Sequence, residues 1–298
     1  MARLISKLDA KNIMDFNNAI LTTDTFAKIE STQIRINSKT ITICGIAKGA
    51  GMISPQVKLH ATMLVYIFTD ADIKKDVLRA VNLAGGFGIS KGDTVLLKPN
   101  YVDDVPFPAT TSPDMLKAVA ELLFSSGAGK VIIGESSYHD TREVMTNQGA
   151  LKVCEETGAE FYVFDEHSYV KKEVPYNNGI KEVHVPSLFS QIDKVVFLCC
   201  LKTHTDARFT ASLKHSIGCI KLSERDPHSD MENIVPLIAS LFSPSLCIID
   251  ARKVFVTLGP TCGEVKEPGL ILASSDRVAL DVEGLKILRS FKAKNLLE

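Results

Sequence analysis

From Gly92 onward the chain alternates short, continuously apolar segments with amphipathic ones. Thr94 to Lys98, Lys130 to Gly134, Phe161 to Phe164, Val195 to Leu201, Leu246 to Asp250 and Leu270 to Ala273 read as strands. An unbroken apolar run of strand length belongs where both faces of a sheet are covered, which is the setting of a parallel sheet. The intervening segments carry helix signals. Ser112-Pro113 supplies an N-cap and a proline at the first helical position, with Asp114 in the first turn. Met115, Leu116, Val119, Leu122 and Leu123 then form one apolar stripe, and Gly127 stops it. Thr141 is read as the cap of a helix to about Thr157, and Ser275 as the cap of a helix from Asp276 to about Phe291. Met231 to Leu241 reads as a helix interrupted at Pro236, which lacks a backbone donor. The fold class that follows is α/β: a doubly wound, largely parallel sheet, preceded by a small amino-terminal α+β segment.

That first segment has a different rhythm. A helix is expected near Asp9 to Ile20, then strands at Gln33 to Ile36 and Thr40 to Ile43 joined by a turn at Asn37-Ser38. A glycine-rich stretch, Gly45 to Gly51, follows, and Asp72 to Leu83 reads as a helix ended by Gly85-Gly86. The division expected is residues 1–76 and residues 77–298.

Bulk properties narrow the function classes. The 298 residues are 45% hydrophobic and 23% charged, the profile of a globular protein. A formal net charge of −1 provides no general field for nucleic acid or an anionic membrane. No apolar run reaches the length of about 18 residues that spans a bilayer, and the first residues lack the apolar core and cleavage site of a signal peptide. The default location is therefore cytoplasmic. The seven cysteines include no C-x-x-C pair, so neither a zinc ribbon nor a ferredoxin-type cluster is encoded. Cys199, Cys200 and Cys247 sit in apolar runs and read as buried, reduced thiols.

Polar residues follow the strands in a consistent way. The strand ends run into Lys98-Pro99-Asn100, Glu135-Ser136-Ser137, Lys202-Thr203-His204, Asp250-Ala251-Arg252 and Ser274-Ser275-Asp276. In an open parallel sheet, ligands bind beyond the carboxyl ends of the strands. Lys98, Asn100, Glu135, Lys202, His204 and Asp250 are thus expected to share one crevice, with Lys214 reaching it from a long connection. The competing reading is structural: Asp276 as a first-turn helix charge, and Lys202 with Asp250 as an ion pair. His204, His215 and His228 with Asp250 offer metal-ligand chemistry, but their spacing fits no recognised zinc motif. The loop Gly259 to Gly263 offers backbone N–H groups to an anion.

The KPN triplet at Lys98, the LKTH segment at Leu201, SLKHSIG at Ser212, IIDAR at Ile248 and ASSDRVALD at Ala273 resemble, in order, domain-of-unknown-function family 362. The resemblance spans roughly Leu83 to Leu288 and implies an α/β fold without a settled reaction. Members of that family are often joined to an iron–sulfur module, whose cysteine motif is missing from this sequence. The family pattern has asparagine after the second lysine, where this chain has Lys214-His215.

A second resemblance lies upstream. TTDTF at Thr22, GIAKGAGMI at Gly45 and ATML at Ala61 resemble the bifunctional ornithine acetyltransferase/N-acetylglutamate synthase family. That family cuts itself before the threonine of ATML, and the freed α-amine serves as base for the same hydroxyl. The resemblance implies Thr62 as nucleophile and Thr22 and Lys48 as substrate contacts. The link Gln56 to His60 is longer than the family's, and the family's long flanking segments are absent, so an uncleaved chain is expected.

Three readings remain open. The first is an α/β protein that binds an anionic small molecule, a nucleotide-like cofactor or a metal at the strand ends, with the reaction and cofactor unknown. The second is a glutamate N-acetyltransferase-type enzyme of arginine biosynthesis acting through Thr62. The third is a non-catalytic fused or truncated binding protein. A small-molecule ligand is the expected partner, with neither nucleic acid nor membrane; the oligomeric state is left open.

Overall fold

The computed structural model describes residues 28–36, 39–48, 64–68, 73–176, 179–225 and 230–294. Thirteen strands occur among them: β1 (Lys28–Ile36), β2 (Lys39–Lys48), β3 (Leu64–Phe68), β4 (Thr94–Lys98), β5 (Lys130–Glu135), β6 (Glu160–Val163), β7 (Tyr169–Tyr176), β8 (Gly179–Pro186), β9 (Lys194–His204), β10 (Arg208–Thr210), β11 (Leu246–Phe255), β12 (Val265–Lys266) and β13 (Leu270–Ser274). The helices are α1 (Ile73–Leu83), α2 (Pro113–Ser125), α3 (Thr141–Asn147), α4 (Ala150–Thr157), α5 (Ser212–His215), α6 (Met231–Ser240) and α7 (Arg277–Ser290).

Eleven strands form one sheet in the order β1-β2-β3-β13-β11-β9-β4-β5-β6, with β10 on β9 and β12 on β11. The five strands from β11 to β6 run parallel. β13, β3, β2 and β1 extend the sheet antiparallel. The α/β fold read from the strand pattern is therefore present, and the first three strands continue the same sheet through the β3–β13 pairing. The expected division at residues 76 and 77 falls inside α1.

Why the apolar runs are unbroken is visible in the core. Successive residues of a strand point to opposite faces. On β9, Val196 and Leu198 join the cluster under α1, α2 and α4, whereas Phe197, Cys199 and Leu201 join the cluster under α6 and α7. β11 divides in the same way, with Leu246 and Ile248 on one face and Cys247 and Ile249 on the other. Cys199, Cys200 and Cys247 are buried free thiols, as their apolar setting implies.

Several local expectations change. The helix read from Thr141 to Thr157 is two, because Gly149 takes a left-handed φ of +83° between α3 and α4. Asp140, not Thr141, caps α3 by accepting from the Glu143 N–H at 2.9 Å. Asp276, not Ser275, caps α7 by accepting from Ala279 N–H at 2.9 Å. α6 runs through Pro236 without interruption. β9 and β11 are longer than their apolar runs. The β7–β8 hairpin forms a separate small sheet that the apolar pattern does not mark, since β7 is mostly exposed and β8 is buried only towards its end. Among the described residues, no helix is long and apolar enough to cross a membrane.

Candidate functional site

The chain runs β4, β5, β6 outward to one side, then returns to place β9 and β11 on the other side of β4. The strand order therefore reverses between β4 and β9, and a crevice opens there at the carboxyl ends. Lys98, Asn100, Glu135, Lys202 and Lys214 all line that cleft, together with Tyr101, Ser136, Thr210, His215, Gly218 and Arg225. It encloses about 60 Å³ of free space within about 480 Å³ that includes its open mouth.

β4 and β5 build one wall. Lys98 ends β4 and Glu135 ends β5, and both are buried. Lys98 Nζ lies 2.7 Å from Glu135 Oε1. The carboxylate also accepts from Ser136 N–H at 2.9 Å and Tyr101 N–H at 3.1 Å. A buried ion pair is tolerable only when its remaining polar valences are filled in this way. The Ser216–Cys219 turn lies over the pair: a Cβ on Gly218 would stand 2.7 Å from Lys98 Nζ and 3.2 Å from Glu135 Oε1. His215 Nε2 is 3.1 Å from the Lys98 carbonyl, so that nitrogen carries the proton. Burial, helped by the Lys98 charge, holds the His215 imidazole well below its usual range and hence neutral.

β9, α5 and the segment after α5 build the other wall. Lys202 is buried and donates to the Ala109 carbonyl. Burial pushes its amine down to about 8. Lys214 is half-buried, and its amine makes no hydrogen bond or ion pair with any described residue. Burial, with Lys202 and Arg225 nearby, lowers its amine to about 7. Arg225 is buried and spends its donors on carbonyls: Ile220 at 2.9 and 2.8 Å, Ser136 at 2.8 Å and Gly218 at 3.2 Å. It pairs with no carboxylate among the described residues.

The turn that carries Lys214 is gripped from α7. Asp281 accepts from Ser212 N–H at 2.7 Å and Leu213 N–H at 2.9 Å. Arg277 donates to the Ser212 carbonyl at 2.7 Å and to Ser216 Oγ. Two sequence signatures, SLKHSIG and ASSDRVALD, thus hold each other. Asp276 stays outside the cleft as a cap.

Two residues expected at the rim stand elsewhere. Asp250 is buried on β11 and bonded to Arg252, which reaches on to Ser112 Oγ at 2.7 Å and Asp114 at 2.9 Å. It anchors the start of α2 and is not an ion-pair partner of Lys202. His204 does not line the cleft; its Nδ1 accepts from Asp206 and Ala207 N–H at 3.1 and 3.2 Å. Burial, with the Lys214 and Lys202 charges, lowers it to about 3. The Gly259–Gly263 loop contributes only Pro260, which has no N–H to offer an anion. Among the described residues, no group of three or more His, Cys, Asp or Glu is placed to hold a metal. His228, Thr22 and Thr62 lie outside the described residues, and Lys48 ends β2 opposite Leu64 of β3.

Sequence reasoning did not single out Tyr101, Thr210 or Gly218 as lining residues. Arg225 stands in a polar segment of the long connection after β9 that was open to closing over this rim, but nothing local shows its carbonyl cage.

The fold and cleft define an open α/β protein with a cation-rich crevice at its switch point. Residues 95–286 match the family described as Domain of unknown function (DUF362), and the chain belongs to that family. Residues 1–84 match the ArgJ family. A thylakoid-associated protein of Synechocystis is 29% identical over 211 residues, 66% of this chain and 64% of that protein. The arginine biosynthesis bifunctional protein ArgJ of Ruegeria pomeroyi is 46% identical over 86 residues, 26% of this chain and 20% of that protein. A glutamate N-acetyltransferase of Methanococcus maripaludis is 35% identical over 145 residues, 43% of this chain and 35% of that protein. Among these relatives the chain spans from one fifth to just under two thirds of their length. The lactate racemase apoprotein of Thermoanaerobacterium thermosaccharolyticum superposes with a TM-score of 0.47 at 15% identity, over 72% of this chain and 55% of that one.

Proposed function

We propose that the cleft between β4 and β9 binds the charged end of a small anionic molecule, a carboxylate or a phosphate. One observation carries the reading. Lys98, Lys202, Lys214 and Arg225 line the cleft, and the only carboxylate among its described lining residues, Glu135, is already taken by Lys98. Such a site has uncompensated positive charge in a partly water-excluded crevice, where an anion gains most. Asn100 supports it: its side-chain amide lines the cleft and has no hydrogen-bond partner among the described residues, while its main chain is fixed by Thr111 at 2.8 and 2.9 Å. The small interior favours a compact anion, or the phosphate end of a larger ligand. The acetyltransferase reading draws on similarity alone, confined to the first part of the chain, with Thr62 outside the described residues.

The test is thermal unfolding in inorganic phosphate against chloride at matched ionic strength. A ligand that binds only the folded state stabilises it by about 2.7 kcal/mol at a hundred times its dissociation constant. The expected result is an upward shift in Tm with phosphate that Lys202→Met abolishes. Equal shifts in wild type and variant sink the reading.

A further inference from the structure

Lys214 differs from every other cation of the cleft. Lys98 is locked to Glu135, Lys202 to the Ala109 carbonyl, and Arg225 to the carbonyls of Ser136, Gly218 and Ile220. Lys214 alone lines the cleft with an amine that engages no described residue. The turn beneath it is nevertheless rigid, because Asp281 and Arg277 fix the backbone of Ser212 and Leu213. An amine on a fixed platform, in the lining of a cation-rich crevice and flanked by like charge, is the arrangement that prepares lysine for attack on a carbonyl.

We propose that Lys214 forms an imine with an anionic carbonyl compound, a short 2-oxo acid, bound in this cleft. The inference rests on the anion-binding reading above and names the ligand's second functional group. The Nζ lone pair attacks the carbonyl carbon, a proton passes from nitrogen to oxygen, and water leaves as the C=N bond forms. No oxidant or reductant is consumed. The 2-oxo acid supplies both features the cleft asks for: a carboxylate for its uncompensated charge and a carbonyl for its unengaged amine. Asn100 and Thr210, whose buried hydroxyl has no partner among the described residues, line the same cleft and offer donors to that carboxylate. The lowered amine of Lys214 supports the step, since attack requires the neutral form. The charged groups around it are Lys202 on β9, Asp206 in the loop after β9, and Arg225.

The experiment is reductive trapping of the full chain. The protein is incubated with pyruvate and sodium cyanoborohydride at pH 7, and adducts are mapped by peptide mass spectrometry. An ordinary lysine is neutral in only about one molecule in a few thousand at this pH. The expected result is an adduct at Lys214 about tenfold or more above that at exposed lysines, suppressed by excess phosphate. Lys214→Arg keeps the charge and cannot form an imine. It is expected to keep the far-UV circular dichroism of the folded protein and to lose the adduct. Labelling spread evenly over the lysines, with the phosphate effect intact, overturns the imine and leaves anion binding standing. Even labelling without a phosphate effect overturns both.

Discussion

On one wall of the cleft, Lys98 is buried at the end of β4 and neutralised by Glu135; on the other, Lys202 and Lys214 are held beside each other and Arg225 without a carboxylate partner among the described residues. The residue type and the sheet edge are the same, yet the physics is opposite. The first wall gains its cohesion from a satisfied ion pair under Gly218. The second gathers like charge that no carboxylate among the described residues pairs, and Asp206 offsets it at Lys214 only in part. Positions that cost stability in the free protein are where binding energy is to be recovered. The difference gives the β4–β5 wall a structural role, and the proposed anion site draws on the β9–α5 wall.

The largest effect tests the first wall. Glu135→Ala leaves Lys98 buried and unpaired, and is expected to cost about 3–5 kcal/mol in chemical denaturation. A loss well under 1 kcal/mol would mean that Lys98 reaches water freely and the walls do not differ. Next, Gly218→Ala places a methyl 2.7 Å from Lys98 Nζ. A flexible lysine tip would step aside, but this one is held by Glu135, so the expected cost is about 1–3 kcal/mol. No loss would show that the turn over the pair is loose.

The smallest effect on stability, and the most informative in sign, belongs to the second wall. Lys202 and Lys214 are lowered to about 8 and about 7 in the folded protein. Between those values and the ordinary lysine range, the unfolded chain binds more protons than the folded one. Stability contributed by these groups therefore rises with pH through that window and falls as pH drops towards 7. Lys214→Met is expected to flatten that rise and to leave Tm at pH 7 unchanged or higher. A large drop in Tm at pH 7 would put Lys214 among the structural cations with Lys98.

Much of this architecture was legible in the chain. The apolar runs announced strands covered on both faces, and the core bears this out residue by residue along β9 and β11. The carboxyl-edge rule brought Lys98, Asn100, Glu135, Lys202 and Lys214 to one place, because parallel strands present the same end to the same edge. It failed for Asp250, which also sits near a strand end but is captured by Arg252 and the start of α2. It failed for His204, whose ring nitrogen turns back to the loop after β9.

What the sequence determined by itself was whatever neighbours along the chain decide: the strand and helix periods, the polar residue that follows each strand, and the α/β class they imply. Tertiary structure alone decided which strand lies beside which, and through that which cation meets a carboxylate. Glu135 neutralises Lys98 because β5 lies beside β4, and β3 joins the sheet because it pairs with β13. The turn carrying Lys214, whose amine engages no described residue, is gripped by α7 from more than sixty residues away in sequence. Electrostatic fate depends on distances of a few ångströms between such distant residues, and no local pattern in the chain records them.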